Sequence, residues 1–237
     1  MTATAVLPIK QLQNAKQRLS DVLSSGERQQ LFRCMVEDVL TAVEACSEIE
    51  RIVIVTDDKE VGLLGHAFDA EIRPEPHPAG LIEAVTETGR QLASEGIGRM
   101  VFLPGDVPLI SADELSVVLE GFGASGDAEL MIVPASDLGG TNCLACSPPD
   151  CMTYAFGHDS FRKHLAIARS RGIEPQVAKL PGAGLDIDTR EDLESLIYTT
   201  GRQAHQGREY STVRYLNESG IALRLKTDKE VRNDSAN

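Results

Sequence analysis

Short apolar runs alternate along this chain with stretches whose apolar residues recur every three or four positions, the pattern of buried strands alternating with amphipathic helices. Residues 4–9 read as the first strand. From 27 to 46 the positions Leu31, Phe32, Met35, Val36, Val39, Leu40 and Val43 mark one helix face, with Gly26 as the break before it. Residues 51–56 are continuous and β-branched, as a strand buried on both faces requires, and 59–64 form a short helix. A weak strand at 71–73 runs into the Pro-rich loop 74–80, which opens a helix over 81–93. The apolar run 100–103 reads as a buried parallel strand. Ser111 then caps a helix through 119, with Glu114 placed to reach back to the cap. Further strands are expected at 130–134, 143–146 and 175–180, and helices at 161–171 and 190–198, the last started by Thr189 with Asp192 three residues on. Strand, helix, strand at this spacing predicts an α/β fold, a mostly parallel Rossmann-like sheet flanked by helices. That domain takes residues 1–201. In the extension 202–237, apolar and polar residues alternate on either side of 217–220, which predicts a hairpin over 212–225 followed by a charged, disordered tail at 226–237.

Charge and composition narrow the chemistry. Residues 42% hydrophobic and 25% charged are ordinary for a globular protein, while a net charge of −13 argues against general binding to nucleic acid or to an acidic membrane. No apolar run reaches membrane-spanning length, and the N-terminus lacks a basic region followed by an apolar one, so the cytoplasm is the expected compartment. Five cysteines without an export signal read as reduced thiols. Cys143 and Cys146 resemble a CxxC pair, yet opposite parity on a strand points them to opposite faces.

Against this acidic background two features stand out. Residues 10–19 carry Lys10, Lys16 and Arg18 and no acid, either a solvated basic loop or an anion site at the end of the first strand. Asp106 follows the strand 100–103 in Pro104-Gly105-Asp106-Val107-Pro108, either a simple turn or a carboxylate delivered to the ligand edge of the sheet. Late in the chain Asp186 and Asp188 share parity on an extended segment, about 6–7 Å apart. With Asp106 they offer three hard oxygen donors of the kind Mg²⁺ takes, unless Asp188 serves only to cap the next helix. The Gly-rich loop 137–142 brings free backbone amides that suit an anion.

These blocks resemble a known family. Lys10 with Ala15-Lys16-Gln17-Arg18-Leu19, Pro104 to Leu109, Gly139-Gly140-Thr141-Asn142, Phe156-Gly157-His158-Asp159-Ser160-Phe161 and Gly184 to Thr189 are similar, in the same order, to the signature blocks of the CofC guanylyltransferases of coenzyme F420 biosynthesis. The resemblance implies the nucleotide-diphospho-sugar transferase fold and transfer of GMP from GTP to 2-phospho-L-lactate, phosphoenolpyruvate or 3-phospho-D-glycerate, with pyrophosphate released. It places Lys16 and Arg18 on the triphosphate, Lys10, Gly80 and Leu81 along the nucleotide, Asp106, Asp186 and Asp188 on Mg²⁺, and Thr141, Gly157 and Ser160 on the acid. A homodimer and a downstream deazaflavin-transferring enzyme complete its expectations. Two positions depart from the family: Gln17 replaces a small serine, and Ile82 replaces a common asparagine, which predicts loose choice among the acids. A same-fold transferase acting on a sugar phosphate or molybdopterin-type substrate, and a silent nucleotide-binding module, are the alternatives. Retention of all three acids favours an enzyme over the silent module.

Overall fold

The computed structural model describes residues 2–203 and 209–235. Strand β1 (Ala3–Pro8) has parallel neighbours on both sides: β2 (Ile49–Val55), which carries β3 (Glu71–Arg73) outside it, and β4 (Met100–Phe102). Beyond β4 the direction reverses. Strand β6 (Thr141–Ser147) runs antiparallel between β4 and β5 (Glu129–Pro134), and the short β7 (Gln176–Val177) pairs in parallel with β5, giving the order β3-β2-β1-β4-β6-β5-β7.

Alternate residues of the buried strands feed two cores, which is why the strands read as continuous apolar runs. On one face Ala5, Leu7, Ile54, Val101 and Cys143 pack under α1 (Ser25–Glu44), α2 (Lys59–His66) and α4 (Ala112–Leu119). On the other Val6, Val53, Phe102, Leu144 and Cys146 meet α3 (Leu81–Ser94) and α5 (Ser160–Ser170). Cys143 and Cys146 therefore do lie on opposite faces, and all five cysteines are free thiols. Helix α1 starts earlier than its hydrophobic spacing indicates, because Ser24 and Glu27 form a capping box that carries Gly26 into the first turn.

The C-terminal region departs from expectation. In place of a hairpin, α7 (Ser211–Glu218) and α8 (Ile221–Ser235) follow α6 (Arg190–Gln203). Thr212 and Leu216, then Ile221, Ala222 and Leu225, are buried at the three-to-four spacing of a helix face, and period-two alternation over five residues does not distinguish the two. The expected tail is helical through Ser235, and residues 236–237 lie outside the described part. These helices share a third core with Leu31 and Met35 of α1, Leu193 and Leu196 of α6, and Leu19, Leu109 and Ile187.

Asp38 on α1 ties this third core together: its carboxylate accepts the Ser211 and Thr212 amides at 2.7 and 2.9 Å, two donors that open α7. Asp38→Ala should cost roughly 1–3 kcal/mol in denaturant unfolding, and Asp38→Asn less, since one acceptor survives. An unchanged midpoint in Asp38→Ala, with unchanged slope, would contradict this.

Candidate active site

The ligand edge of the sheet is where β1 turns to β2 on one side and β4 on the other. After β1 the chain makes two 3-10 turns (Leu12–Asn14 and Gln17–Leu19) rather than a solvated loop. Leu12 and Leu19 are buried, and the Leu12 amide donates to Asp58, which also caps α2. Between the turns Lys16 adopts left-handed backbone, φ 54°, which turns its side chain inward until only 4% is exposed.

After β4, Gly105 passes so close to α1 that a Cβ there would sit 2.9 Å from Val36 and 3.4 Å from Phe32. That approach delivers Asp106 to Lys16, whose Nζ donates to Asp106 Oδ2 at 2.6 Å and to Asp188 Oδ1 at 2.7 Å. The Phe32 ring lies 5.5 Å from the same nitrogen. Arg18, largely exposed, stands behind with Nη1 3.5 Å from Asp188 Oδ2.

Three backbone ties hold the acidic segment 182–188. Glu114 accepts the Gly182 and Ala183 amides at 2.7 and 3.0 Å, Gly184 carbonyl accepts from the Ser136 amide and hydroxyl, and the Ile187 amide donates to the Asp106 carbonyl at 3.0 Å. Glu114 thus faces away from its own cap. Ser111 still accepts the Glu114 amide, but the carboxylate is used across the fold. Helix α6 is capped by Thr189 with Asp192, so Asp188 is free of that duty and turns to Lys16. Asp186 accepts from Asn142 at 3.1 Å.

Burial and mutual charge set the ionisation here. Burial alone would lower Lys16, but Asp106 and Asp188 outweigh it and hold the ammonium above its ordinary value. Burial pushes Asp188 up, and Lys16 with Arg18 more than reverses this. Among the described residues Asp186 pairs with no cation: burial raises it, Asn142 offsets part, and Asp106 and Asp188 add repulsion. Among the described residues no three His, Cys, Asp or Glu side chains come close enough together to hold a metal ion, the space between Asp106 and Asp188 being filled by the Lys16 ammonium.

The antiparallel run of β6 completes the edge. Leu144 opposes Phe102, so Thr141 and Asn142, earlier in β6, lie alongside the residues leading to Asp106. Gly157, at φ 102°, and Asp159, at φ 55°, turn the chain into α5, whose Phe161 amide reaches the Gly139 carbonyl at 3.5 Å. Thr141, at the start of β6, and Gly157 and Ser160, at the entry to α5, therefore belong to two segments in contact. Lys10, Gly80 and Leu81 come together elsewhere, along a cleft with Pro8, Ile9, Val55 and Glu75. Ile82 does not line that cleft: it is 38% exposed and lines a separate depression with Pro76, Thr86 and Arg90. Sequence reasoning passed over His164, whose Nδ1 lies 2.9 Å from Thr141 Oγ1. Its signal was the i, i+4 spacing from Ser160, which puts both on one helix face.

A basic loop and carboxylates meeting at the switch point of such a sheet define a nucleotidyltransferase-like site. The fold is shared with a Desulfovibrio desulfuricans protein described as a nucleotide-diphospho-sugar transferase, which superposes with TM-score 0.75, covering 94% of this chain and 98% of that one at 19% identity, and with CMP:2-keto-3-deoxy-manno-octonic acid synthetase, at 0.56, covering 86% and 100% at 12% identity. The chain belongs to the CofC-like guanylyl transferase family, whose profile matches residues 3–234. It is 34% identical over 196 residues to phosphoenolpyruvate guanylyltransferase of Conexibacter woesei, covering 83% of this chain and 87% of the relative. It is 31% identical over 211 residues to 2-phospho-L-lactate guanylyltransferase of Methanothermobacter thermautotrophicus (89% and 90%), and 31% over 196 to 3-phospho-D-glycerate guanylyltransferase of Colwellia psychrerythraea (83% and 91%).

Because Asp188 titrates lower in the folded chain than unfolded, its contribution to stability is present above the usual carboxylate range and is lost as pH falls through the folded value. Lys16 titrates higher, so its contribution is complete below the usual lysine range and is lost only above it. Both are in place at neutral pH. Lys16→Met should cost about 2 kcal/mol there, less than the ~3–5 of a fully buried pair because Asp188 is partly exposed. Its deficit relative to the native chain should shrink as pH falls below about 4; a deficit constant down to pH ~3 would contradict the bridge.

Proposed function

We propose that this protein transfers GMP from GTP to a phosphorylated three-carbon acid, releasing pyrophosphate and forming a guanosine-diphosphate-linked acid for coenzyme F420 biosynthesis. The observation that carries this reading is the Lys16–Asp106–Asp188 cluster at the switch point, with Arg18 at its rim and Asn142, the neighbour of Thr141 in β6, bonded to Asp186. Relatives named for phosphoenolpyruvate, 2-phospho-L-lactate and 3-phospho-D-glycerate guanylyltransferases support the acid class.

In this mechanism Lys16 and Arg18 take the triphosphate and stabilise charge on the departing pyrophosphate. Lys10, Gly80 and Leu81 line the nucleotide cleft. Thr141, Gly157 and Ser160 hold the acid, whose own phosphate oxygen attacks the α-phosphate of GTP. That phosphate is ionised near pH 7, so no general base is required. The donor types suit a hard divalent cation, being carboxylates without sulfur or imidazole, but with the Lys16 ammonium between Asp106 and Asp188 the three are not gathered closely enough to hold one. With Lys16 turned from the carboxylates to the phosphates, Asp106, Asp186 and Asp188 would hold Mg²⁺, which supplies neutralisation of the phosphate charge.

The reading is tested by supplying GTP, Mg²⁺ and the three acids together and resolving products by mass. A guanylylated acid formed with stoichiometric pyrophosphate is expected, and pyrophosphate only with a sugar phosphate, or none with any acid, would overturn it. Asp106→Asn should keep the fold, since its backbone carbonyl still takes the Ile187 amide and its amide oxygen can still accept from Lys16, yet lower turnover on the order of 100-fold or more. Near-native turnover in the folded variant would remove Asp106 from the chemistry.

A further inference from the structure

The imidazole of His164 is wholly buried on α5, with the Phe156 ring edge-on at 5.0 Å and Tyr154 beyond it. Each ring nitrogen has one partner. Nε2 receives the Ala155 backbone N–H at 3.0 Å, and Nδ1 faces Thr141 Oγ1 at 2.9 Å. A backbone amide can only donate, so Nε2 must be a bare acceptor. A neutral imidazole carries one proton, which therefore sits on Nδ1. Burial, with Lys163 alongside, lowers this histidine to about 4, so the ring stays neutral at working pH.

The tautomer determines what Thr141 can offer. Nδ1–H donates to Oγ1, which leaves the hydroxyl proton of Thr141 to be directed elsewhere. In the opposite tautomer Thr141 would donate its proton to Nδ1 and present only lone pairs to a ligand, repelling an anion. The side chain of Thr141 is at the start of β6, beside the loop entering α5, and among the described residues its oxygen makes its side-chain hydrogen bond to His164. The Ala155 amide thus sets the proton on His164, and His164 sets the direction of the Thr141 hydroxyl.

We infer that His164 is a positioning residue for the acid substrate: locked with its proton on Nδ1 by the Ala155 amide, it makes the Thr141 hydroxyl an obligate donor to a carboxylate or phosphate oxygen. This deepens the proposed function and rests on its assignment of Thr141 to the acid. His164 touches neither substrate.

Two amide replacements separate this role from simple packing. Asn at 164 can place an N–H near the Nδ1 position and keep the donor to Thr141, whereas Gln places its amide near Nε2 and loses that donor. His164→Gln should raise KM for the acid roughly tenfold or more, the loss of one hydrogen bond to a charged group, with KM for GTP little changed. His164→Asn should restore most of the acid KM. Thr141→Val should raise the same KM, and Thr141→Val combined with His164→Gln should be no worse than Thr141→Val alone. Equal damage from Asn and Gln, or parallel loss for acid and GTP, would overturn the inference and leave His164 a packing residue. If Thr141→Val raises the acid KM and His164→Gln does not, the inference alone fails; if Thr141→Val leaves the acid KM unchanged, the assignment of Thr141 to the acid fails and takes the inference with it. Nitrogen NMR of histidine-labelled native protein decides the tautomer independently of any variant. A protonated Nδ1 and bare Nε2 are expected, and a proton on Nε2 would overturn the inference.

Discussion

The buried ammonium of Lys16 between Asp106 and Asp188 is the contact on which the site depends. Three acids at one sheet edge repel one another, and a carboxylate losing water is costly unless a cation compensates it. Lys16 supplies that cation from a left-handed backbone position that a non-glycine residue occupies at a cost of about 1–2 kcal/mol. The surrounding fold over-determines the strained turn: Leu12 and Leu19 are buried on either side of it, and Asp58 fixes the first 3-10 turn while capping a helix. Asp186, which pairs with no cation among the described residues, is pushed upward by burial and by Asp106 and Asp188.

The reversed strand brings the remaining parts to the same edge. A parallel strand in the place of β6 would put Thr141 and Asn142 at the far side of the sheet. Running antiparallel between β4 and β5, it starts where β4 ends, so segments far apart in sequence meet through Asn142 and Asp186. Glu114 and Ser136 then pin the acidic segment through the backbone of Gly182, Ala183 and Gly184.

Much of this was legible in the sequence, and the failures have physical causes. The strands 51–56 and 100–103 and the long helix of α1 stood out because a two-faced sheet demands unbroken apolar runs and a covering helix demands one apolar face. Asp106, Lys16 and Asp188 were identified through motif order, and the structure puts them within hydrogen-bonding reach. Their direct pairing was not foreseen, since charge types show which ligands suit a residue and not which neighbour it holds at rest. Glu114 sat at a capping-box position but bonds across the fold, a tertiary choice that local spacing cannot reveal. The C-terminal helices were mistaken for strands because five-residue windows match both periods, and their burial comes from the distant Leu31 and Met35. His164 was hidden because a lone histidine on an apolar helix face has no distinctive spacing apart from its partner four residues before.

If the carboxylates exchange the Lys16 ammonium for a divalent cation when nucleotide arrives, GTP affinity and Mg²⁺ must be linked. Calorimetric titration of GTP into the native protein with and without Mg²⁺ measures that linkage directly. Affinity should be at least tenfold higher with Mg²⁺, the equivalent of about 1.4 kcal/mol, because only then are Asp106, Asp186 and Asp188 neutralised while Lys16 faces the phosphates. Equal affinity in the two titrations would contradict the exchange and leave Asp106 and Asp188 as partners of Lys16.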